Sequence, residues 1–291
     1  MAWPNSSQEV PAKISIGDLV LHLDADQNIS KLTHQGEALI ASAVTPGLWR
    51  APTDNDGGKP EVTSMLTGKS VGWARLGLDT LRPEPAKVFY DRGDGLARLG
   101  FKRDWRGADG ALMHHHSLWT LDEAGLRVDE DIIVPGAWQD IPRIGVRFDV
   151  PRDLSRLAWL GLGPDETYPD RWQGQNFGLW KSSIDDQYHP YVRPQEYGAH
   201  EATRKFTLTG ESGKGFEITF PKPLSFTARP HHDVDLSAAE TLAELVTRET
   251  YEVRIDAAMR DLGTGACGPD VLPDFVVGSG RYTFTWILKA L

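Results

Sequence analysis

Hydrophobic and polar residues alternate along most of this chain with a period of two. Apolar side chains occupy every second position in the segments 126–134, 144–150, 216–220 and 282–288, with one charged interruption at Glu130. Because neighbouring side chains of a β-strand point to opposite faces, this pattern is typical of strands with one buried and one exposed face. The pattern predicts an all-β, antiparallel chain.

The two ends of the chain give the clearest strand predictions. Segments 14–16 and 19–23 alternate in this way and are followed by a polar turn at 24–28, which predicts an opening hairpin. At the other end, segment 282–288 places four large side chains on one face. We expect this final strand to be central to the core.

Helical signals are few. The run Ser237-Ala238-Ala239-Glu240 matches a capping box and precedes Leu242, Leu245 and Val246, which predicts one short helix or helical turn. Residues 51–70 form the longest run without strand periodicity. We interpret this run as a lid, because long loops in compact domains are commonly functional or disordered.

Length and composition are compatible with one large domain. The 291 residues are 40% hydrophobic, which is enough to bury a full core. No repeat, low-complexity tract or convincing linker divides the chain. We therefore assign residues 1–12 to an irregular N-terminal lead-in and residues 13–291 to a single β-sandwich domain.

Charge and cysteine content narrow the partners and the compartment. The formal net charge of −10 and the isoelectric point near 5.4 disfavour a nucleic-acid partner, because such proteins concentrate Lys and Arg on one face. Cys267 is the single cysteine, which excludes an intrachain disulfide and favours a reducing cytoplasm. A secretory leader and an apolar run of about 18 residues are both lacking, so we expect a soluble protein with no membrane partner.

The segment 159–171, Trp-Leu-Gly-Leu-Gly-Pro-Asp-Glu-Thr-Tyr-Pro-Asp-Arg, combines turn residues with carboxylates and a guanidinium. Asp165 and Glu166 suggest an acid and a base, but the carboxyl pair of a retaining glycosidase lies about 5 to 5.5 Å apart. Adjacent residues of an extended chain point to opposite faces, so the pair is a poor catalytic dyad. We interpret the segment as an architectural corner in which Arg171 pairs with Glu166, with Asp170 or with a backbone carbonyl.

Two acidic segments and two histidine clusters raise the question of a metal site. Segments 24–28 and 54–58 lack the glutamate spacing of an EF-hand loop, so we interpret both as turns. In 114–116 at most two histidines share a strand face, and the run 231–233 is equally short of donors. We therefore expect surface or interface histidines and no metal in this chain.

Three segments together resemble a known family. They are 48–58 (Leu-Trp-Arg-Ala-Pro-Thr-Asp-Asn-Asp-Gly-Gly), 159–171, and 188–204, which contains Pro-Tyr-Val-Arg-Pro-Gln-Glu-Tyr-Gly and a downstream arginine. On these motifs the chain resembles, from about residue 13 to 289, the C-terminal small-chain domain of the bacterial β-galactosidases of glycoside hydrolase family 2. The resemblance implies a large antiparallel β-supersandwich with the fold of the galactose mutarotases.

The resemblance also implies which residues bind the substrate. Gly58 matches the hinge of a mobile loop, residues 58–68, that closes over bound galactose, with Glu61 near the aglycone side. Gly57 replaces a bulkier residue of some relatives, and the extra glycine should loosen the hinge. Cys267 stands where the best-known relatives have a tryptophan that stacks on the sugar, and a thiol lacks the area of an indole ring.

The family takes its catalytic carboxylates from a separate (β/α)8 barrel, and this chain lacks the alternating strands and helices of such a barrel. The resemblance therefore implies no catalytic residue and no cofactor in this chain. It implies a galactoside substrate, a catalytic barrel domain or large subunit as partner, and Mg and Na ions bound elsewhere in the complete enzyme. That enzyme would hydrolyse terminal non-reducing β-D-galactose residues, such as that of lactose, and this chain alone would have little activity.

Two alternatives stay open at the level of the sequence. The first is a stand-alone sandwich that binds a carbohydrate or a protein partner. The second is a mutarotase-like aldose epimerase, a reaction that uses one histidine and one glutamate, for which His189, His200 and Glu196 are the candidates.

Overall fold

The computed structural model describes residue 3 and residues 9–57, 68–263 and 270–291. Within these ranges the chain forms seventeen β-strands, and every pairing between them is antiparallel. The predicted all-β, antiparallel architecture is confirmed. The strands are β1 (Lys13–Ile16), β2 (Leu19–Leu23), β3 (Ile29–His34), β4 (Glu37–Ile40), β5 (Thr45–Gly47), β6 (Arg82–Pro83), β7 (Lys87–Gly93), β8 (Leu96–Arg106), β9 (Leu112–Asp122), β10 (Gly125–Val134), β11 (Arg143–Pro151), β12 (Arg156–Gly163), β13 (Asn176–Ser183), β14 (Ala199–Thr209), β15 (Gly215–Arg229), β16 (Thr250–Met259) and β17 (Gly280–Ala290).

Strands β1 to β4 form a four-stranded sheet in chain order. β1 and β2 pair as the predicted opening hairpin, with Ile14 opposite Leu21. In the turn that follows, Asp24 Oδ1 accepts hydrogen bonds from the backbone N–H groups of Asp26 at 2.9 Å and Asn28 at 2.8 Å. The first acidic segment is therefore an Asx turn, as its sequence predicts.

The other thirteen strands belong to one large, branched sheet. Its main path runs β13-β12-β14-β15-β17-β10-β9-β8-β6, and β7 also pairs with β8. Strand β15 pairs with β17 over residues 216–219 and with β16 over residues 225–229. β16 continues through β11 to β5, so β15 is where the branch leaves the main path.

The core lies between the main path and the branch. Trp286 of β17 stacks on Phe148 of β11 with ring centroids 5.9 Å apart, and it meets Trp119 of β9 edge-on at 5.5 Å. Both geometries are favourable for aromatic rings. Phe284 and Leu288 are buried beside Trp286. The final strand, between β15 and β10, therefore has the central position that its pattern predicts.

The helical turn predicted from the capping box is confirmed as the 3-10 turn Leu242–Glu244, but this turn begins after Thr241 and not after Ser237. Ser237 and Ala238 of the capping box instead end an earlier helix, α2 (Asp233–Ala238). The helix starts early because Asp233 pairs with two buried arginines of β15 and β16. This tertiary contact outweighs the local capping signal.

The run 51–70, which has no strand periodicity, contains helical residues near both of its ends. A 3-10 turn, Asp54–Asp56, lies near its start, and helix α1 (Lys69–Leu76) begins before its predicted end at residue 70. Two further 3-10 turns are Asp185–Gln187 and Pro273–Phe275. The pattern did not indicate α1 because its buried residues are only Ser70 and Trp73. No helix within the described ranges is long and apolar enough to span a membrane.

Two histidines of the clusters 114–116 and 231–233 lie in the interior. His115 of β9 is buried with its Nε2 2.7 Å from Glu130 Oε2. His232 is also buried, with its Nε2 3.5 Å from Asp149 Oδ1. The predicted surface or interface position is wrong for both. For His115 the hydrogen bond with Glu130 offsets the cost of burying the polar ring.

Candidate functional site

The segments that flank residues 58–67 and 264–269 form one cluster of charged and polar side chains. The predicted substrate-binding residues Gly58, Glu61 and Cys267 lie outside the described residues. The described residues on either side of these two segments are close to one another in the structure. We call this cluster the loop platform. It consists of Arg50, Asn55, Asp56, Lys69, Asp140, Arg260 and Asp270.

Arg50 and Asp56 form the buried centre of the loop platform. Both side chains are fully buried, and Arg50 donates to Asp56 from Nη2 at 2.7 Å and from Nε at 3.1 Å. Such a bidentate pair adds geometric specificity to charge. Asp56 Oδ2 also accepts from the backbone N–H and the hydroxyl of Thr53, both at 3.0 Å. The second acidic segment is therefore a turn as well, closed just before Gly57.

The same residues connect the starts of the two loops. Arg50 donates to the backbone carbonyl of Arg260 and, at 3.0 Å, to that of Asp261. The Asn55 side-chain amide donates to the carbonyl of Leu262 at 2.6 Å. The chain entering residues 58–67 is thus hydrogen-bonded to the chain entering residues 264–269.

The ends of the two loops are joined by ion pairs. Lys69 pairs with Asp140, and its Nζ lies 3.2 Å from Asp270 Oδ2. Arg260 donates from Nε to Asp140 and from Nη2 to Asp270. Burial disfavours the charge of Arg260, but the hydrogen bonds to the two carboxylates outweigh it and raise the pKa of the guanidinium.

Trp73 of α1 supports both arginines of the loop platform. Its ring centroid lies 5.5 Å from Arg50 Cζ and 5.7 Å from Arg260 Cζ, within the range of cation–π attraction. The indole N–H donates to the carbonyl of Asp140 at 2.6 Å. Helix α1, which follows residues 58–67, is thus in contact with Arg260, which lies shortly before residues 264–269.

Gly57 and Gly68 bring the two ends of residues 58–67 into contact. Gly57 has a φ of +87°, a conformation that favours glycine. A Cβ on Gly57 would lie 2.4 Å from Gly68 Cα, and a Cβ on Gly68 would lie 2.6 Å from Gly57 Cα. Gly57 therefore has a steric role at the base of the loop, beyond the added freedom predicted from the sequence.

Asp170 connects the corner segment 159–171 to the second loop. Its Oδ2 accepts a hydrogen bond from the backbone N–H of Gly263 at 2.7 Å, and its Oδ1 accepts one from Leu262 at 3.3 Å. The segment therefore supports the loop platform without offering its carboxylates as a catalytic pair.

The predicted ion pair of the corner is confirmed. Arg171 Nη2 donates to Glu166 Oε1 at 2.9 Å, and the Tyr191 hydroxyl donates to the same oxygen. Glu166 Oε2 accepts from the backbone N–H of Gly198 at 2.8 Å. The motifs 159–171 and 188–204 are thereby held together, which explains why the sequence carries both.

Asp261 is a buried acid at the entry to the second loop. It is fully buried, and a hydrogen bond from the backbone of Asp170 offsets only part of the cost of burying its charge. Burial, reinforced by the nearby Asp170 and Glu201, raises the pKa of Asp261 to about 8. Across the described ranges, no group of three or more His, Cys, Asp or Glu side chains is placed to hold a metal ion.

Of the candidates for the epimerase alternative, His200 and Glu196 are fully buried, whereas His189 is exposed. Glu196 Oε2 accepts from Arg143 at 3.2 Å and from Arg229 at 3.0 Å. His200 packs on Trp159 with ring centroids 4.2 Å apart, and burial lowers its pKa to about 3. Neither side chain is presented to a sugar, so the structure gives this alternative no support.

Sequence reasoning missed four residues of the loop platform, namely Lys69, Asp140, Arg260 and Asp270. Lys69 and Asp270 are charged residues that follow the segments 58–67 and 264–269 closely. Their positions in the sequence could therefore have identified them as candidates. Asp140 and Arg260 carried no such signal, because their partners are distant in the sequence.

Comparison with known proteins shows a match over almost the whole chain. Residues 19–288 match the family described as β-galactosidase small chain. The chain is 33% identical to a β-galactosidase of Arthrobacter sp. (strain B7) over 271 residues, which are 84% of this chain and 26% of that protein. It is 29% identical to a β-galactosidase of Priestia megaterium over 87% of this chain and 24% of that protein. It is 25% identical to a β-galactosidase of Kluyveromyces lactis over 94% of this chain and 27% of that protein. The chain spans about a quarter of the length of these relatives.

A solved structure supports the predicted fold. The GalM/aldose epimerase homologue from C. elegans superposes with a TM-score of 0.50 at 10% identity, covering 96% of this chain and 98% of that chain. This likeness concerns the fold alone. The predicted galactose mutarotase-like fold is confirmed.

Proposed function

The chain belongs to the β-galactosidase small-chain family, and we propose that it is the small subunit or C-terminal portion that completes the active site of a β-galactosidase. The complete enzyme hydrolyses terminal non-reducing β-D-galactose residues, such as that of lactose. The extent of the match carries the proposal, because nearly the whole chain aligns with about a quarter of each of several β-galactosidases. The rest of such an enzyme supplies the partner and the catalytic carboxylates.

The role of the chain in this proposal is to bind and position the galactoside. Residues 58–67 and 264–269 carry the substrate-binding candidates, with Gly58 as hinge, Glu61 near the aglycone and Cys267 against the sugar. The loop platform supports this assignment because it ties the starts and the ends of both loops together. Preorganised loops contribute to catalysis by holding the substrate in the reactive geometry.

The chemistry itself belongs to the partner. Glycoside hydrolysis needs two carboxyl groups at fixed separation on a rigid support, and the partner barrel supplies them. The Mg and Na ions of the complete enzyme also bind there, and we place the enzyme in the cytoplasm. The chain contributes contacts around the sugar and excludes water from it.

Complementation tests this function. The chain is mixed with the remaining portion of a β-galactosidase relative, and release of nitrophenol from a nitrophenyl β-galactoside is followed. We expect turnover in the mixture and none by the chain alone. Rates that do not depend on adding the chain would overturn the proposal.

A further inference from the structure

A cavity of about 490 Å³ lies beside the loop platform, where β12, β14, β15 and β16 meet. The pairing of β14 with β15 shifts register twice between residues 200 and 205, and Ala202 has a φ of +54°. Neighbouring residues of a regular strand point to opposite faces, yet Glu201 and Ala202 both line this cavity. The irregularity therefore turns an additional side chain toward the cavity, as β-bulges near sites often do.

Two polar side chains, Ser225 and Glu201, line the cavity together. Ser225 is buried, and a hydrogen bond with its hydroxyl partly offsets the effect of burial on the pKa of the Glu201 carboxyl. The backbone of Glu201 is fixed by a 2.7 Å hydrogen bond from its N–H to the Thr167 hydroxyl. Glu201 Oε1 has no hydrogen-bond partner among the described residues, so this oxygen can form a hydrogen bond with a ligand.

Several other side chains that line the cavity are apolar. Trp172 lies at its rim with 48% of its surface exposed. Pro169, Leu224 and Met259 continue the apolar surface. An exposed indole beside aliphatic side chains offers a flat apolar face to a ligand, while the hydroxyl and the carboxyl offer hydrogen bonds.

These features select a neutral ligand with one apolar face and several hydroxyl groups. Burial raises the pKa of Glu201 to about 7, so near neutral pH this carboxyl can both donate and accept hydrogen bonds. The other carboxylate at the cavity, Asp256, is already paired with Arg143. A charged ligand would therefore lack a counter-ion there, whereas a sugar ring matches both the polar and the apolar side chains. The volume is within the range of small-molecule sites.

We propose that this cavity is a second sugar-binding site, in which a neutral monosaccharide unit stacks on Trp172 and places a hydroxyl group on Glu201 and Ser225. The residues that form the site lie outside the segments 58–67 and 264–269 in the sequence, and Met259 directly precedes the platform residue Arg260. It does not depend on the proposed function, because every residue that forms it belongs to this chain.

The experiment is a titration of the 291-residue chain with methyl β-D-galactoside, followed by backbone and indole 1H–15N resonances. We expect saturable shifts of the Trp172 indole signal and of the Glu201 and Ser225 backbone signals. Trp172→Ala and Glu201→Ala should each weaken the binding at least tenfold. Phe177→Ala, an exposed aromatic outside the cavity, is the matched control and should leave binding unchanged.

Three results would overturn the proposal. One is the absence of shifts up to roughly 100 mM sugar, where a site with a millimolar dissociation constant is saturated. Another is binding that Trp172→Ala and Glu201→Ala leave intact while the variants keep native signal dispersion. The third is binding that is lost in Cys267→Ala but kept in Trp172→Ala, because the sugar would then occupy the loop site alone.

Discussion

Lys69 Nζ lies 3.2 Å from Asp270 Oδ2, so an ion pair joins the chain leaving residues 58–67 to the chain leaving residues 264–269. The two side chains are 41% and 48% exposed. An exposed pair of this kind contributes little to folding. It joins the two described positions that follow the segments 58–67 and 264–269.

Replacing Lys69 should affect substrate binding more than stability. In the complemented enzyme, Lys69→Met is expected to raise the KM for a nitrophenyl β-galactoside by about threefold to tenfold, because the loop ends are no longer joined. The free energy of unfolding should change by less than about 1 kcal/mol. Lys205→Met is the control, since the 2.7 Å pair with Glu217 is similarly exposed and does not involve the platform. An unchanged KM in Lys69→Met would contradict the role of the platform.

Replacing Asp56, at the buried centre of the loop platform, should mainly lower the free energy of unfolding. Asp56→Asn leaves the Arg50 guanidinium buried without its counter-ion, so we expect a loss of about 3 to 5 kcal/mol in the free energy of unfolding. Glu84→Gln removes the carboxylate from an exposed pair with Arg106 and should cost less than about 1 kcal/mol. Urea denaturation measures both. Equal small losses would show that the buried pair does not organise the loop base.

Gly57 can be tested against a glycine of nearly the same conformation. Gly57 and Gly36 have φ values of +87° and +83°, but only Gly57 lies against another backbone, that of Gly68. Gly36→Ala should cost about 1 kcal/mol from the positive φ alone. Gly57→Ala should cost more and should also lower the activity of the complemented enzyme, because the ends of the loop are pushed apart. If the two variants are equally stable and active, the close contact has no role.

The pH dependence of stability should report on Asp261. Its pKa of about 8 in the folded chain is above the unfolded value of 3.8, so the folded state holds an extra proton between these values. Stability therefore falls as the pH rises from about 4 to 8. Asp261→Asn removes this contribution and should be more stable than the wild type at pH 8, by about 1 to 3 kcal/mol. At pH 5 the difference in the free energy of unfolding between Asp261→Asn and the wild type should be smaller.

Controls for this prediction use the same urea titration at each pH. Asp165→Asn changes an exposed carboxylate and should leave the slope with pH unaltered. The raised pKa of Glu201 acts in the same direction, so the Asp261→Asn variant should keep part of the slope. A slope identical to that of the wild type would show that Asp261 ionises as readily in the folded state as in the unfolded one.

The sequence predicted the parts of the fold that depend on local pattern. Strands with one buried face have a period of two, and the opening hairpin and the final strand therefore followed directly from their side chains. Helix α2 could not be predicted in this way, because its start depends on the pairing of Asp233 with Arg229 and Arg254. Arg229 lies four residues before Asp233, but Arg254 is 21 residues after it, and no local pattern marks that second pairing.

In the candidate site, too, contacts between residues near in sequence were predictable, and contacts between distant residues were not. Arg171 and Glu166 are five residues apart, and their pairing was one of the predicted choices. Arg50, by contrast, meets the carbonyls of Arg260 and Asp261 across more than two hundred residues. No periodicity or motif connects such positions. The motifs identified the family, whereas the packing of distant segments determines how the two loops are held.

The central claim, that this chain completes a galactosidase site without containing its catalytic pair, is tested most directly by titration. The catalytic portion of a β-galactosidase is held at fixed concentration, the chain is added stepwise, and the initial rate on a nitrophenyl β-galactoside is recorded. We expect no turnover by the chain alone, and activity that rises to a plateau at one chain per catalytic portion. Turnover of the galactoside by the purified chain alone would contradict the claim.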